Sequence, residues 1–285
     1  MKPGVLLDGL IGPIIARRTE KLEKHLTKRV SEVDQRIKRL DKKLKKRARA
    51  ARAAQAKRPK ANPWTYNADR MATAHLSPFL EDEKFSVLYE EMVTNWFPGK
   101  RIEARWRAWL LTRFARQCQG LEGSFAEFGT YRAGYAFMIL ALSGVERFYL
   151  FDTFEGIPSD SLTDNEVERG MAGELADTSP EYVAQLLARW EGRFELVPGD
   201  VFETLPRIET GPLSFVPMDL NASAPTQVAL EYAYPRLVRG GIMAFDDYGW
   251  NEYIDQRLLV EEFFSQQPDE VIALPTGQAL MVKRP

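Results

Sequence analysis

The sequence predicts an α/β fold built on a mostly parallel seven-stranded sheet that ends in an antiparallel hairpin. From residue 124 onward, short apolar runs of strand length alternate with helical patterns, the order that builds a parallel sheet covered on both faces. The last two runs are separated only by Pro-Thr-Gly-Gln at 275–278, too short for a crossover, so they must pair antiparallel. The chain before residue 61 has a different composition and stands outside this alternation. Residues 1–60 carry 20 Lys and Arg against 6 Asp and Glu, whereas the rest carries 19 against 34. A net charge of −1 therefore conceals a basic arm, near +14, joined to an acidic body, near −15.

The arm opens with VLLDGLIGPII, an amphipathic head interrupted by Asp8, Gly9, Gly12 and Pro13. It lacks a small-residue cleavage site and reads poorly as a signal peptide. No apolar run reaches the ~18 residues of a membrane span, which points to a cytoplasmic protein. Residues 18–56 predict one long helix, coiled-coil-like, with apolar positions at Leu22, Leu26, Val30, Val33, Ile37, Leu40 and Leu44. Glu20 and Lys24, Glu32 and Arg36, Asp34 and Lys38, and Asp41 and Lys45 are acid-before-base pairs four residues apart. Such a helix is either solvated alone, paired in a homo-oligomer, or laid by residues 18–60 on an anionic membrane surface or an acidic partner. Nucleic acid is disfavoured because the acidic body repels phosphates.

Residues 61–120 predict a helical cap, with amphipathic helices at 78–95 and 101–119 split by Pro98-Gly99. Their apolar stripes use Phe79, Phe85, Leu88 and Met92, then Ile102, Trp106, Trp109, Leu110 and Phe114. In the domain at 121–285, strands are expected at 124–128, 147–151, 194–198, 214–218, 241–245, 270–273 and 279–283. Helices fit between them at 133–143, 180–191, 225–238 and 252–266. Five parallel strands, a helix and a terminal antiparallel hairpin are unlike a dinucleotide-dehydrogenase domain. They match the sheet of a Rossmann-like methyltransferase. The stretch SFAEFGTYRAG at 124–134 begins it as strand, glycine turn and helix start, an arrangement that can hold a charged, nucleotide-like ligand.

Acids recur at the carboxyl ends of the strands, where open α/β sheets bind ligands. These are Glu127 before Gly129, Asp152, Asp200 after Gly199, Asp219, and the pair Asp246-Asp247. One such acid often does no more than cap a turn; five successive strand ends are hard to explain that way. The first loop lacks a full G-x-G-x-x-G, and Glu127 would repel a pyrophosphate. A carboxylate there suits a cationic ligand such as S-adenosylmethionine. A lone cysteine, Cys118, rules out an internal disulfide and a cysteine zinc site. With only His25 and His75, a histidine-rich metal site or a catalytic triad in the body is also disfavoured.

Five segments carry a resemblance to a known family: FAEFGTYRAGYA (125–136), FDTFEGIPSD (151–160), GDVFETLP (199–206), MDLNASAPTQVALEYAYPRLVRGGIMAFDDYGW (218–250) and LPTGQALMVK (274–283). They resemble the macrocin O-methyltransferases, metal-dependent enzymes that methylate sugar hydroxyls; the arm at 18–60 lies outside the likeness. The resemblance implies Glu127, Gly129 and Tyr131 around the methionine part of S-adenosylmethionine. It implies Asp152 and Thr153 at the ribose, and Gly199, Asp200 and Phe202 near the adenine. Asp219, Asp246 and Asp247 would hold a divalent cation, and an all-oxygen set favours Mg²⁺ over zinc. Asp219 is the candidate catalytic base, and a sugar or glycan is the implied acceptor, a non-sugar diol being the alternative. A third reading makes the body a degenerate scaffold served by its basic helix. Two positions depart from the family pattern: Ala133 stands where a glycine is usual, and Asn221 where a second acid is usual.

Overall fold

The computed structural model describes residues 5–56, 64–96, 99–100 and 102–284. They form two compact units, Met1–Pro63 and Trp64–Pro285. In the first, helix α1 runs from Val5 to Ala56. It begins 13 residues before the expected start at residue 18, carrying the helix through Gly9, Gly12 and Pro13. Three of the four anticipated intrahelical ion pairs form: Lys24 with Glu20, Lys38 with Asp34 and Lys45 with Asp41. No described helix is long and apolar enough to cross a membrane.

The second unit starts with a hairpin of two short strands, β1 (Tyr66–Ala68) and β2 (Met71–Thr73), which the sequence pattern did not reveal. Helices α2 (Glu83–Trp96) and α3 (Arg105–Gln117) follow. Then come β3 (Ser124–Phe128), α4 (Gly134–Ser143), β4 (Phe148–Asp152), α5 (Asp164–Glu168), α6 (Pro180–Leu186) and β5 (Phe194–Pro198). The chain continues through α7 (Val201–Thr204), β6 (Leu213–Met218), α8 (Ser223–Arg236) and β7 (Leu237–Phe245). It closes with α9 (Ile254–Ser265), β8 (Val271–Ala273) and β9 (Ala279–Val282).

The sheet has the order β5-β4-β3-β6-β7-β9-β8, with β3 to β7 parallel and the terminal pair antiparallel, as expected. Strand order reverses between β3 and β6, the switch point at which such sheets open a crevice. Strand β7 begins four residues earlier than anticipated, because Leu237 pairs with Leu213 before a register shift. Period-two alternation divides the core between the two faces. Phe125, Phe148, Leu150, Phe215, Ile242 and Ala244 face one side with α2, α3 and α4. Ala126, Phe128, Tyr149, Phe151, Val216 and Met243 face the other with α8 and α9.

The residues expected to form a cap thus cover the sheet and share its core. Phe79 sits at the centre of their aromatic cluster, edge-on to Tyr66 at 5.6 Å and to Trp106 at 5.2 Å. The hydroxyl of Tyr89 accepts from the Ala104 N–H at 2.7 Å, tying α2 to the start of α3. Cys118, just beyond α3, is buried, and burial pushes its thiol up to about 12. Thiol reagents should therefore leave it unmodified at pH 8 in the native protein and titrate one thiol after denaturation. A native reaction rate matching that of the denatured chain would contradict this packing.

Candidate active site at the strand carboxyl ends

The loop after β3 fits only a glycine at its first position. Gly129 has φ 86°, and a Cβ there would lie 1.9 Å from the carbonyl oxygen of Asp219. The main chain of β3 is thereby pressed against that of β6 at the switch point, with the Asp219 N–H donating to Phe128 O at 2.8 Å. Tyr131 and Ala133 also adopt left-handed backbone, φ 48° and 57°. Ala133 heads α4 in that conformation, which explains physically why a glycine suits the position.

A cavity of about 520 Å³ opens over these strand ends. Glu127, Gly129, Tyr131, Asp152, Thr153, Gly199, Asp200, Asp219, Asp246 and Asp247 all line it. Phe202 does not: its ring is 45% exposed, and its main-chain N–H donates to Asp200, which caps α7. Asp152 accepts from the N–H groups of Tyr131 and Phe154, both at 2.7 Å, and so fixes the two loops beside it. The Thr153 hydroxyl donates to Gly156 O at 2.7 Å. Burial raises the carboxyl of Asp152 despite those main-chain donors. Burial also holds Glu127 well above the usual carboxylate range, with Asp219 adding to the effect.

Asp219, Asp246 and Asp247 each offer an oxygen within 4.8 Å of the others. Burial and the neighbouring Asp246 push Asp219 up to about 7. Burial, then Asp219 and Asp246, push Asp247 well above its ordinary value. Asn221, itself at φ 61°, donates to Asp219 Oδ1 at 2.9 Å. Gln278 donates to Asp246 Oδ1 at 2.8 Å. One buried oxygen of Asp247 and one of Glu127 have no hydrogen-bond partner. Buried acceptors without donors are costly, and this oxygen-only set fits a hard divalent cation.

Several residues of the site lie beyond what strand-end reading could find. Arg107, from α3, pairs with Asp246 and with Asp69 of the β1–β2 turn, Nε to Oδ2 at 2.8 Å. Burial works against its charge, but Asp246 and Asp69 outweigh that and keep it protonated. Trp250 lies beneath both Arg107 and Arg70, at 5.2 and 4.7 Å, and Arg70 forms a two-bond ion pair with Glu252. Glu166, in the 157–180 segment, accepts from the Thr163 N–H and from the Ser223 N–H, each at 2.8 Å. The sequence signal was there: Thr163 and Glu166 form a capping box.

The family model of the macrocin O-methyltransferases (TylF) matches residues 111–269, more than half of the 285. The chain belongs to that family. A tetracenomycin 4'-O-methyltransferase of Streptomyces olivaceus, named for a 2,3-dimethoxy-α-L-rhamnosyl substrate, is 30% identical over 142 residues, 45% of this chain and 54% of that one. Mycinamicin III 3''-O-methyltransferase of Micromonospora griseorubida is 29% identical over 143 residues, 45% and 56%. The chain thus spans about half the length of the curated relatives it matches. Among solved structures, the O-methyltransferase NovP shares the fold at TM-score 0.61 and 20% identity, over 73% of this chain and 99% of its own. The calicheamicin methyltransferase CalS11 does so at 0.57 and 25%, over 73% and 94%. The family match excludes α1 and covers every strand end that carries an acid.

Replacing Ala133 by glycine should relieve the left-handed strain and stabilise the protein by about 0.5–1 kcal/mol, net of glycine's greater unfolded entropy. Differential scanning calorimetry should read a rise in Tm of a few degrees; a fall would show that the alanine is unstrained. Arg107→Met should lower the stability of metal-free protein by about 3–5 kcal/mol in urea titrations, by leaving buried acids unpaired. Added Mg²⁺ should restore more of the loss than it adds to the unsubstituted protein. Equal stabilisation of both proteins would separate Arg107 from the cluster's charge balance.

Proposed function

We propose that the protein is an S-adenosylmethionine-dependent O-methyltransferase acting on a sugar hydroxyl, with a divalent cation such as Mg²⁺ at Asp219, Asp246 and Asp247. The observation that carries the reading is the convergence of those carboxylates, one with an orphaned oxygen, at the cavity lined by the Glu127–Tyr131 loop. Family membership supports the chemistry, and the rhamnosyl group in the name of one relative supports the acceptor class.

Each part of the cavity has a task in this reading. Glu127, buried and with an oxygen free of donors, matches a cationic donor, and Gly129 keeps the loop beside it pressed against the end of β6. Asp152 and Thr153 serve the ribose, with Gly199 and Asp200 beside the adenine. When bound, S-adenosylmethionine supplies a methyl on sulfonium sulfur, and the cation supplies Lewis acidity that eases loss of the acceptor's proton. The residues of the cavity would then have to align the acceptor hydroxyl with that methyl and take up the hydroxyl proton. Holding the two reactants in line can contribute ~7–11 kcal/mol. Asp219 is the candidate to receive the proton; Asn221 has no carboxylate for that role and instead orients Asp219 by its hydrogen bond.

Labelled-methyl transfer to a panel of nucleotide sugars and glycosides tests the proposal, with and without chelator. Activity should appear on a sugar acceptor and vanish on chelation. Asp247→Ala should lower it at least roughly 100-fold while calorimetry still reads S-adenosylmethionine binding. No S-adenosylmethionine binding by the unsubstituted chain would overturn the methyltransferase assignment. Turnover unaffected by chelator would remove the cation alone.

A further inference from the structure

Helix α1 carries an exposed apolar stripe that the methyltransferase reading leaves unused. Leu26, Val30, Val33, Ile37, Leu40 and Leu44 recur at alternating intervals of four and three, and each is 54–66% exposed. We propose that this stripe is the seam of a parallel two-stranded coiled coil formed with a second copy of this chain.

The heptad frame places Val30, Ile37 and Leu44 at a, and Leu26, Val33 and Leu40 at d. β-Branched residues at a with leucine at d favour two strands, and only Val33 and Leu44 depart from that pattern. The same frame puts Glu23 at the preceding a position and Arg47 at the following d position, so the seam is bounded at both ends. It is about 28 Å long at 1.5 Å per residue.

Charge at the seam's edges selects both the occupant and its direction. Arg29 and Arg36 occupy g, and Asp34 and Asp41 occupy e, all on the exposed surface. In a parallel pair each g residue meets the e residue five positions further along the partner helix. Arg29 then faces Asp34 and Arg36 faces Asp41, twice over by symmetry, giving four opposite-charge pairs. An antiparallel pair would set arginine against arginine and aspartate against aspartate. An anionic membrane lying on the stripe would meet Asp34 and Asp41 on one edge, which opposes that alternative. Both acids also bind their own helix's Lys38 and Lys45 at 2.7 Å, so each can bridge an intrahelical and an interhelical cation.

Sedimentation of the full chain across a concentration series tests the inference. The unsubstituted chain should form a dimer, and Val33→Asp with Ile37→Asp should yield a monomer. Arg29→Glu with Arg36→Glu should weaken the dimer roughly tenfold or more, as should Asp34→Lys with Asp41→Lys. Mixing the two charge variants should restore association. Leu40→Cys should cross-link to its own counterpart on mild oxidation, which only the parallel register allows. Retained S-adenosylmethionine binding and circular dichroism verify that the variants are folded. A monomer at every concentration overturns the proposal, including one that binds anionic vesicles through this face. So does a dimer that survives the seam substitutions, or one that depends on the seam but fails to cross-link at residue 40.

Discussion

Like charge packed into a half-closed space is the constraint around which the second unit is arranged. Five strand ends deliver acids to one cavity, and three of those carboxylates approach within 4.8 Å of each other. A parallel sheet makes this unavoidable once the acids are present, because all its carboxyl ends open on the same edge. The neighbouring elements answer the charge. Arg107 crosses from α3 to Asp246, Gln278 reaches it from the start of β9, and Trp250 gives the guanidinium an aromatic floor. Asp69 holds the other edge of that guanidinium, which is why a short hairpin remote from the sheet in sequence is fixed beside it.

The sequence made the sheet legible because a strand buried on both faces leaves a plain trace: a short apolar run closed by an acid or glycine. The strand-end acids were legible for the same reason, since their position in the fold follows from the strands that carry them. Arg107 was not, because its partner Asp246 is 139 residues away and nothing in the pattern of α3 distinguishes it from the surrounding basic residues. The β1–β2 hairpin escaped because three-residue strands are too short for alternation to register. The early start of β7 was hidden by LVRGG, where two glycines mask the first pairing at Leu237. Asp200 shows the limit of counting acids: it lines the cavity and also caps a helix, so both readings of a strand-end aspartate hold at one residue.

Helices α2 and α3 are continuous with the sheet. Their aromatic residues belong to the same core as Phe125, Phe148 and Phe215 of the sheet. The wall that carries Arg107 is therefore as firmly placed as the strands it faces, and the cavity is shaped by a continuous core rather than by a detached lid. Such a wall holds Arg107 in fixed register with Asp246.

Glu166 has a consequence of a different kind. Its two carboxylate oxygens are divided between the Thr163 N–H, where α5 starts, and the Ser223 N–H, where α8 starts just beyond Asn221. The segment at 157–180 is therefore not an interchangeable module. A loop grafted there from another enzyme without an acid at this position would leave the head of α8 short of an acceptor, two residues from Asn221 and four from Asp219. Any replacement of this segment must carry that glutamate along, so the geometry of 157–180 and that of the start of α8 are kept or lost together.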